Sequence, residues 1–275
     1  MSIKRREEAT IKKLLSVAEG KEVFDNDSVK WAKTLYKNNC VNWRGETTDS
    51  KRLYSEVIAE KLLESCYLAA LKNIEVVKRS KSYALVTHKY EINPNSHREE
   101  EKFAIGLAKA HNEPECSDIE VKCKCFRVMD YQIPLKSAQS DRGVGKIDLV
   151  AKNEQEKEVY LLELKKDSST ETLLRCILEI YTYWCQLDHE KFIKDFAETK
   201  PRKLETNQGL TIIPAILIFK GSLPYNEYEE LNEGKRPELA KLIGALEKNM
   251  RERQPEYSNP RFNFFEISKV VKPIK

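Results

Sequence analysis

The tightest constraint on this chain is a hairpin followed by a helix and a wholly apolar strand. Two runs, KIDLVA (146–151) and VYLLELKK (159–166), flank the polar stretch NEQEKE, which is short enough for a hairpin loop. Ser168, with Glu171 three residues later, then forms a capping-box signature that opens a long helix. Its apolar stripe is Leu174, Ile177, Leu178, Tyr181 and Trp184, spaced for one helical face. TIIPAILIF (211–219) reads as a fully apolar strand. Upstream, Ser96 and Glu99 make another capping box, predicting a helix from His97 to about Ala110. IEVKCKCFRV (119–128) and YQIPLK (131–136) read as two strands after it. Helical segments near 225–250 and a last strand, RFNFFEIS (261–268), complete the order. The expectation is an α/β fold with helices packed against a central mixed sheet.

Residues 1–95 read differently, as a mainly helical N-terminal region. RLYSEVIAEKLLESCYLAALKN (52–73) predicts one helix, with Tyr54, Ile58, Leu62, Cys66 and Ala69 at helical spacing. IEVV and SYALVTHKYEI, separated by the basic KRSKS, predict a β-hairpin near 74–92. NPNS (93–96) marks a turn and a boundary, so the chain divides into 1–95 and 96–275.

Composition excludes several classes. Of 275 residues, 33% are charged but 40% are hydrophobic, which fits a soluble globular chain rather than a disordered one. No apolar segment follows the basic start, and the longest apolar run, IIPAILIF, is too short to span a bilayer; a cytoplasmic protein with no membrane partner is expected. A net charge of +4 permits nucleic-acid binding without arguing for it. The seven cysteines have no framework spacing, and CKC (123–125) lacks the two-residue spacer of a zinc site.

The chemistry concentrates in YLLELKK (160–166). Strand side chains alternate between faces, so Glu163 and Lys165 share one side and Leu162 and Leu164 the other. Inside a sheet, both charges are held where burial is costly. Asp148 interrupts the preceding apolar run just after the glycine-bearing turn DRGVG, and the hairpin brings it beside Glu163. Two carboxylates at that separation repel unless a proton or cation lies between them, and a divalent ion resolves the conflict. A salt-bridged strand end near solvent is the plain alternative.

Asp148 followed by Glu163-Leu164-Lys165, with a glutamate-bearing helix before and a long helix after, resembles the PD-(D/E)XK nuclease superfamily, also called restriction-endonuclease-like. The likeness covers residues 96–220, and Ile147 stands where the family motif has its proline. It implies a restriction-endonuclease-like core and a metal-dependent nuclease acting on nucleic acid, DNA above all, with a homodimer where both strands are cut. By resemblance, Asp148, Glu163 and the Leu164 main-chain carbonyl would bind Mg²⁺, with Mn²⁺ able to substitute. Lys165 would position the attacking water. Of the three glutamates in HREEEKF, Glu100 shares a face with Phe103, Ala104 and Leu107 and is the expected helix-borne site residue. Arg175 is the expected contact to the nucleic-acid backbone; its alternative is an ion pair with Glu179 one turn on. A non-catalytic nucleic-acid-binding or assembly module on the same fold is the rival reading.

Overall fold

The computed structural model describes residues 4–17, 26–85, 90–91, 93, 95–112, 126–136, 145–153, 155, 157–199 and 209–267. Helices Glu7–Val17 (α1), Asn26–Thr34 (α2), Tyr54–Leu62 (α3) and Ser65–Lys72 (α4) come first, with 3₁₀ turns at Leu35–Lys37 and Asn39–Asn42. Glu99–Asn112 (α5) leads into strands Arg127–Pro134 (β1), Lys146–Asn153 (β2) and Glu158–Lys165 (β3). Helices Leu173–Gln186 (α6) and His189–Glu198 (α7) connect β3 to Thr211–Phe219 (β4). Helices Leu223–Asn232 (α8) and Pro237–Arg253 (α9) connect β4 to Asn263–Ile267 (β5).

The sheet is mixed and runs β1-β2-β3-β4-β5. The β1–β2 and β2–β3 pairs are antiparallel, whereas β3–β4 and β4–β5 are parallel, each parallel pair joined through helices. Alternation along β3 sorts its residues between two layers. Leu162 and Leu164 pack with Ala104, Leu107 and Ala108 of α5. Val159 and Leu161 pack with the α6 side, where Leu174, Ile177, Leu178, Tyr181 and Trp184 are all buried. Each fully buried leucine or isoleucine contributes about 1.5–3 kcal/mol. Helices on both faces thus enclose the middle of the sheet, which explains why β4 is buried at all nine positions.

Several boundaries differ from the sequence expectation. The helix over 52–73 is two helices, broken at Leu63–Glu64; Cys66 is exposed and Ala69 only half-buried. Among the described residues of 74–92 none lies in a strand; residues 86–89 and 92, part of the expected second strand, lie outside the described residues. The backbone of this segment is spent on the helices instead: Val77 N donates to the Gln186 carbonyl and Tyr83 N to Asp195 Oδ2. The two expected strands over 119–136 are, in the described part, the single strand β1; residues 113–125, with CKC, lie outside the described residues. Upstream, the Ser96 hydroxyl accepts from Arg98 N, and the helix begins at Glu99 rather than His97.

The start of α6 also moves. Ser168 does not cap it; Thr172 does, its hydroxyl accepting from Arg175 N. The same hydroxyl donates to the Val41 carbonyl at 2.6 Å, and Thr172 N donates to Asn42 Oδ1 at 2.8 Å. The N-terminal region is therefore fastened to the helix that backs the sheet. Tyr36 packs edge-on against Tyr183 at 5.6 Å, and one continuous core cluster reaches from Leu14 to Phe262.

Candidate active site

At one end of β2 and β3 the ladder stops at Leu149↔Leu162. The next pair would set Asp148 against Glu163, but the backbones no longer bond there and the Asp148 side chain fills the gap. Its Oδ2 accepts from Leu164 N at 3.0 Å and its Oδ1 from Gln132 Nε2 at 2.9 Å. Gln132 sits opposite Asp148 on β1, between Tyr131↔Leu149 and Ile133↔Ile147, with a φ of +51°. An L-residue in that region is strained by about 1–3 kcal/mol, and such strain collects at functional sites. A residue's N–H and C=O leave a strand on the same edge, so the Leu164 carbonyl also leaves on the Asp148 side.

Glu163 and Lys165 lie on the α6 face and are only 3% and 4% exposed. The pair is buried, which overturns the reading of a solvent-exposed salt bridge at a strand end. Lys165 Nζ stands 2.7 Å from Glu163 Oε1, 2.7 Å from Glu171 Oε2 and 3.7 Å from Glu179 Oε2. Tyr183 donates its hydroxyl to Glu179 Oε1 at 2.8 Å and so fixes the third carboxylate. Gly145, in the turn before β2, lies directly against that hydroxyl: a Cβ there would collide with it. Only glycine lets β2 start so close to α6.

This grouping is acid-rich. Burial, first of all, pushes the Asp148 carboxyl up to about 6, with Glu179 and Glu100 adding to the effect while Lys165 and the Leu164 amide oppose it. Glu163 is pushed well above the usual carboxylate range by burial, then by Glu179; Lys165 opposes this and Asp148 adds to it. For Lys165, burial works against the charge, yet Glu163, Glu179 and Glu171 hold its ammonium well above the ordinary lysine range. The lysine is a fixed cation, and its carboxylates outnumber it.

Glu100 reaches the site from α5. Its Oε1 accepts from Lys166 N at 3.4 Å, whereas Glu99 pairs with Lys102 one turn on and Glu101 with Arg98 just before the helix. Glu100, Gln132, Asp148, Lys166 and Glu171 line an open cleft of about 500 Å³ together with His97 and Ser169. Arg175 is not among its lining residues. Its guanidinium lies 3.4 Å from Glu171, one turn back, and not against Glu179, which faces Lys165 and Tyr183. The alternative Arg175–Glu179 pair is thus replaced by an Arg175–Glu171 pair.

Sequence reasoning missed Glu171, Glu179, Tyr183 and Gln132. A signal for the first three was present: Glu171, Arg175, Glu179 and Tyr183 recur every four residues along an otherwise apolar helix, which places them on one face. Gln132 carried no such signal, because its role follows from a left-handed backbone. Among the described residues, no group of three His, Cys, Asp or Glu side chains is disposed to hold a metal ion. A site for a hard cation would instead draw on Asp148, Glu163 and the Leu164 carbonyl, an all-oxygen set. No family model, no curated protein and no solved structure matches this chain.

Proposed function

We propose that this chain is a magnesium-dependent nuclease that hydrolyses phosphodiester bonds of nucleic acid, DNA in the first instance, on a restriction-endonuclease-like core. The observation that carries the reading is the Asp148 carboxylate, set into the open end of the β2–β3 ladder beside the buried Glu163–Lys165 pair. Two carboxylates and a carbonyl suit Mg²⁺, which binds one or two carboxylates and fills its remaining positions with water and phosphate oxygens. Bound there, the ion would supply a water of lowered pKa and offset the charge of the phosphoryl transition state.

The chain's own residues account for the rest. Glu163, Glu171 and Glu179 hold the Lys165 ammonium in place, ready to donate hydrogen bonds to a water or a phosphate oxygen. Gln132 and Leu164 N fix both oxygens of Asp148 and leave its remaining lone pairs for a ligand. Glu100, half-buried, lines the cleft beside Asp148 and can hydrogen-bond a water or a ligand there.

Purified protein with Mg²⁺ or Mn²⁺ should nick plasmid or cut oligonucleotides, and Glu163→Ala should remove that activity while the melting transition stays cooperative. Cleavage that survives the substitution would sink the assignment. One observation favours a second reading, a non-catalytic nucleic-acid-binding or assembly module: Lys165 is already held by its carboxylates, and no three-residue metal cluster exists among the described residues. Calorimetry separates the two, since the module binds nucleic acid without binding Mg²⁺ or Mn²⁺.

A further inference from the structure

A second cavity, of about 530 Å³, opens on the N-terminal region, lined by Lys4, Arg5, Trp43, Arg44, Glu46 and Tyr54 together with Asn42. Three cations and two aromatic rings line it against one carboxylate, the reverse of the acid-rich cleft. The Arg5 guanidinium lies 3.7 Å over the Trp43 ring, and Tyr54 meets that ring edge-on at 5.7 Å. Lys4 and Arg44 are exposed, and neither has an ion-pair partner among the described residues. The wall between the two cavities is thin. Asn42 lines the first and accepts from Thr172 N, while Glu171, the preceding residue, lines the second and pairs with Lys165.

We infer that this cavity is a subsite for single-stranded nucleic acid, taking one base against the Trp43–Arg5 stack and the neighbouring phosphates on Lys4 and Arg44. Stacking on an aromatic or guanidinium plane needs an unpaired base, because a duplex keeps its base faces covered. Phosphates are recognised by lysine and arginine without regard to sequence. The inference names the substrate of the proposed nuclease and rests on that reading: a strand leaving the acid-rich cleft would pass the Asn42–Thr172 wall into a basic, aromatic pocket.

The tryptophans make this testable. Trp31 and Trp184 are 4% and 1% exposed, so Trp43 is the one that a ligand in solution can reach. Titration of the full chain in EDTA with a ten-nucleotide oligo-dT should quench the intrinsic fluorescence saturably, and oligo-rU serves as the RNA arm. Trp43→Phe should abolish the quench. Arg44→Glu, at an exposed position that spares the fold, should weaken binding of a labelled oligonucleotide at least tenfold and flatten its salt dependence. Unchanged binding by Arg44→Glu, a quench that persists in Trp43→Phe, or an equal quench by a blunt duplex would overturn the inference. The nuclease reading fails separately. Protein that quenches and binds as described but cuts nothing with Mg²⁺ keeps the subsite and loses the catalysis; protein that cuts, with Arg44→Glu binding as tightly as wild type, does the opposite.

Discussion

Two buried charge clusters flank the start of α6, and they solve the same problem differently. On one side Arg236, 4% exposed, bonds Glu230 through Nε at 2.8 Å and Ser55 through one terminal nitrogen at 2.6 Å, and its other terminal nitrogen reaches Glu227 and Glu230. Glu227 also accepts from Leu173 N, and Glu56 accepts from both Glu238 N and Leu239 N. Every charge there has a neighbour of opposite sign or an amide, and the cluster joins α3, α6, α8 and α9. On the other side Lys165 faces Glu163, Glu171 and Glu179, with Asp148 close behind. Both clusters hold more carboxylates than cations; the difference is that Asp148 and Glu171 here also line an open cleft. Carboxylates tied to one arginine and to helix amides are explained by stability alone, whereas carboxylates gathered at a cleft with raised proton affinity mark a candidate site.

If the contrast is right, the largest effect on stability should come from the Arg236 cluster. Arg236→Ala strands Glu227 in the interior and should cost about 3–5 kcal/mol in urea unfolding. Glu163→Gln should stay within about 1 kcal/mol of wild type in EDTA, because it removes a like charge while Lys165 keeps Glu171. Equal losses would erase the distinction.

The next effect is on pH dependence. Asp148 has a folded value of about 6 against an ordinary 3.8, so between those values the folded chain holds a proton that the unfolded chain has released. Stability should therefore fall as pH rises across that window, by about 3 kcal/mol from this residue, and Glu163, also raised, extends the fall further. Millimolar Mg²⁺ should restore stability at pH 7.5 and do little at pH 4.5, as thermal melts with and without the ion would show. A flat profile without metal would refute the upward shift of Asp148 and Glu163.

Smaller effects sharpen the picture. Gly145→Ala presses on the Tyr183 hydroxyl and should cost about 1–3 kcal/mol, lowering cleavage while leaving oligonucleotide binding intact. Thr172→Ala removes the α6 cap and should cost about 1 kcal/mol by the same unfolding measurement.

The α/β order, the hairpin and the same-face placement of Glu163 and Lys165 were legible because each depends on local periodicity, and local periodicity is written in the sequence. The cap of α6 was misplaced because tertiary contacts, not the local pattern, set it: Glu171 is claimed by Lys165, and Thr172 is tied to Val41 and Asn42. In the described part of 74–92 no strand forms for a related reason, since the amides of Val77 and Tyr83 find acceptors on α6 and α7. The alternative reading of Arg175 named the wrong glutamate because helical spacing offers both Glu171 and Glu179, and only the buried lysine distinguishes them.

The bond from Leu164 N to Asp148 has one more consequence. A backbone amide whose acceptor is a titrating carboxylate senses the charge of that carboxylate directly. Protonating Asp148 weakens the acceptor, and a cation drawing on its lone pairs polarises it. The nitrogen and proton resonances of this single amide, deep in a sheet and away from solvent exchange, therefore form a built-in gauge of whether the site is empty, protonated or filled.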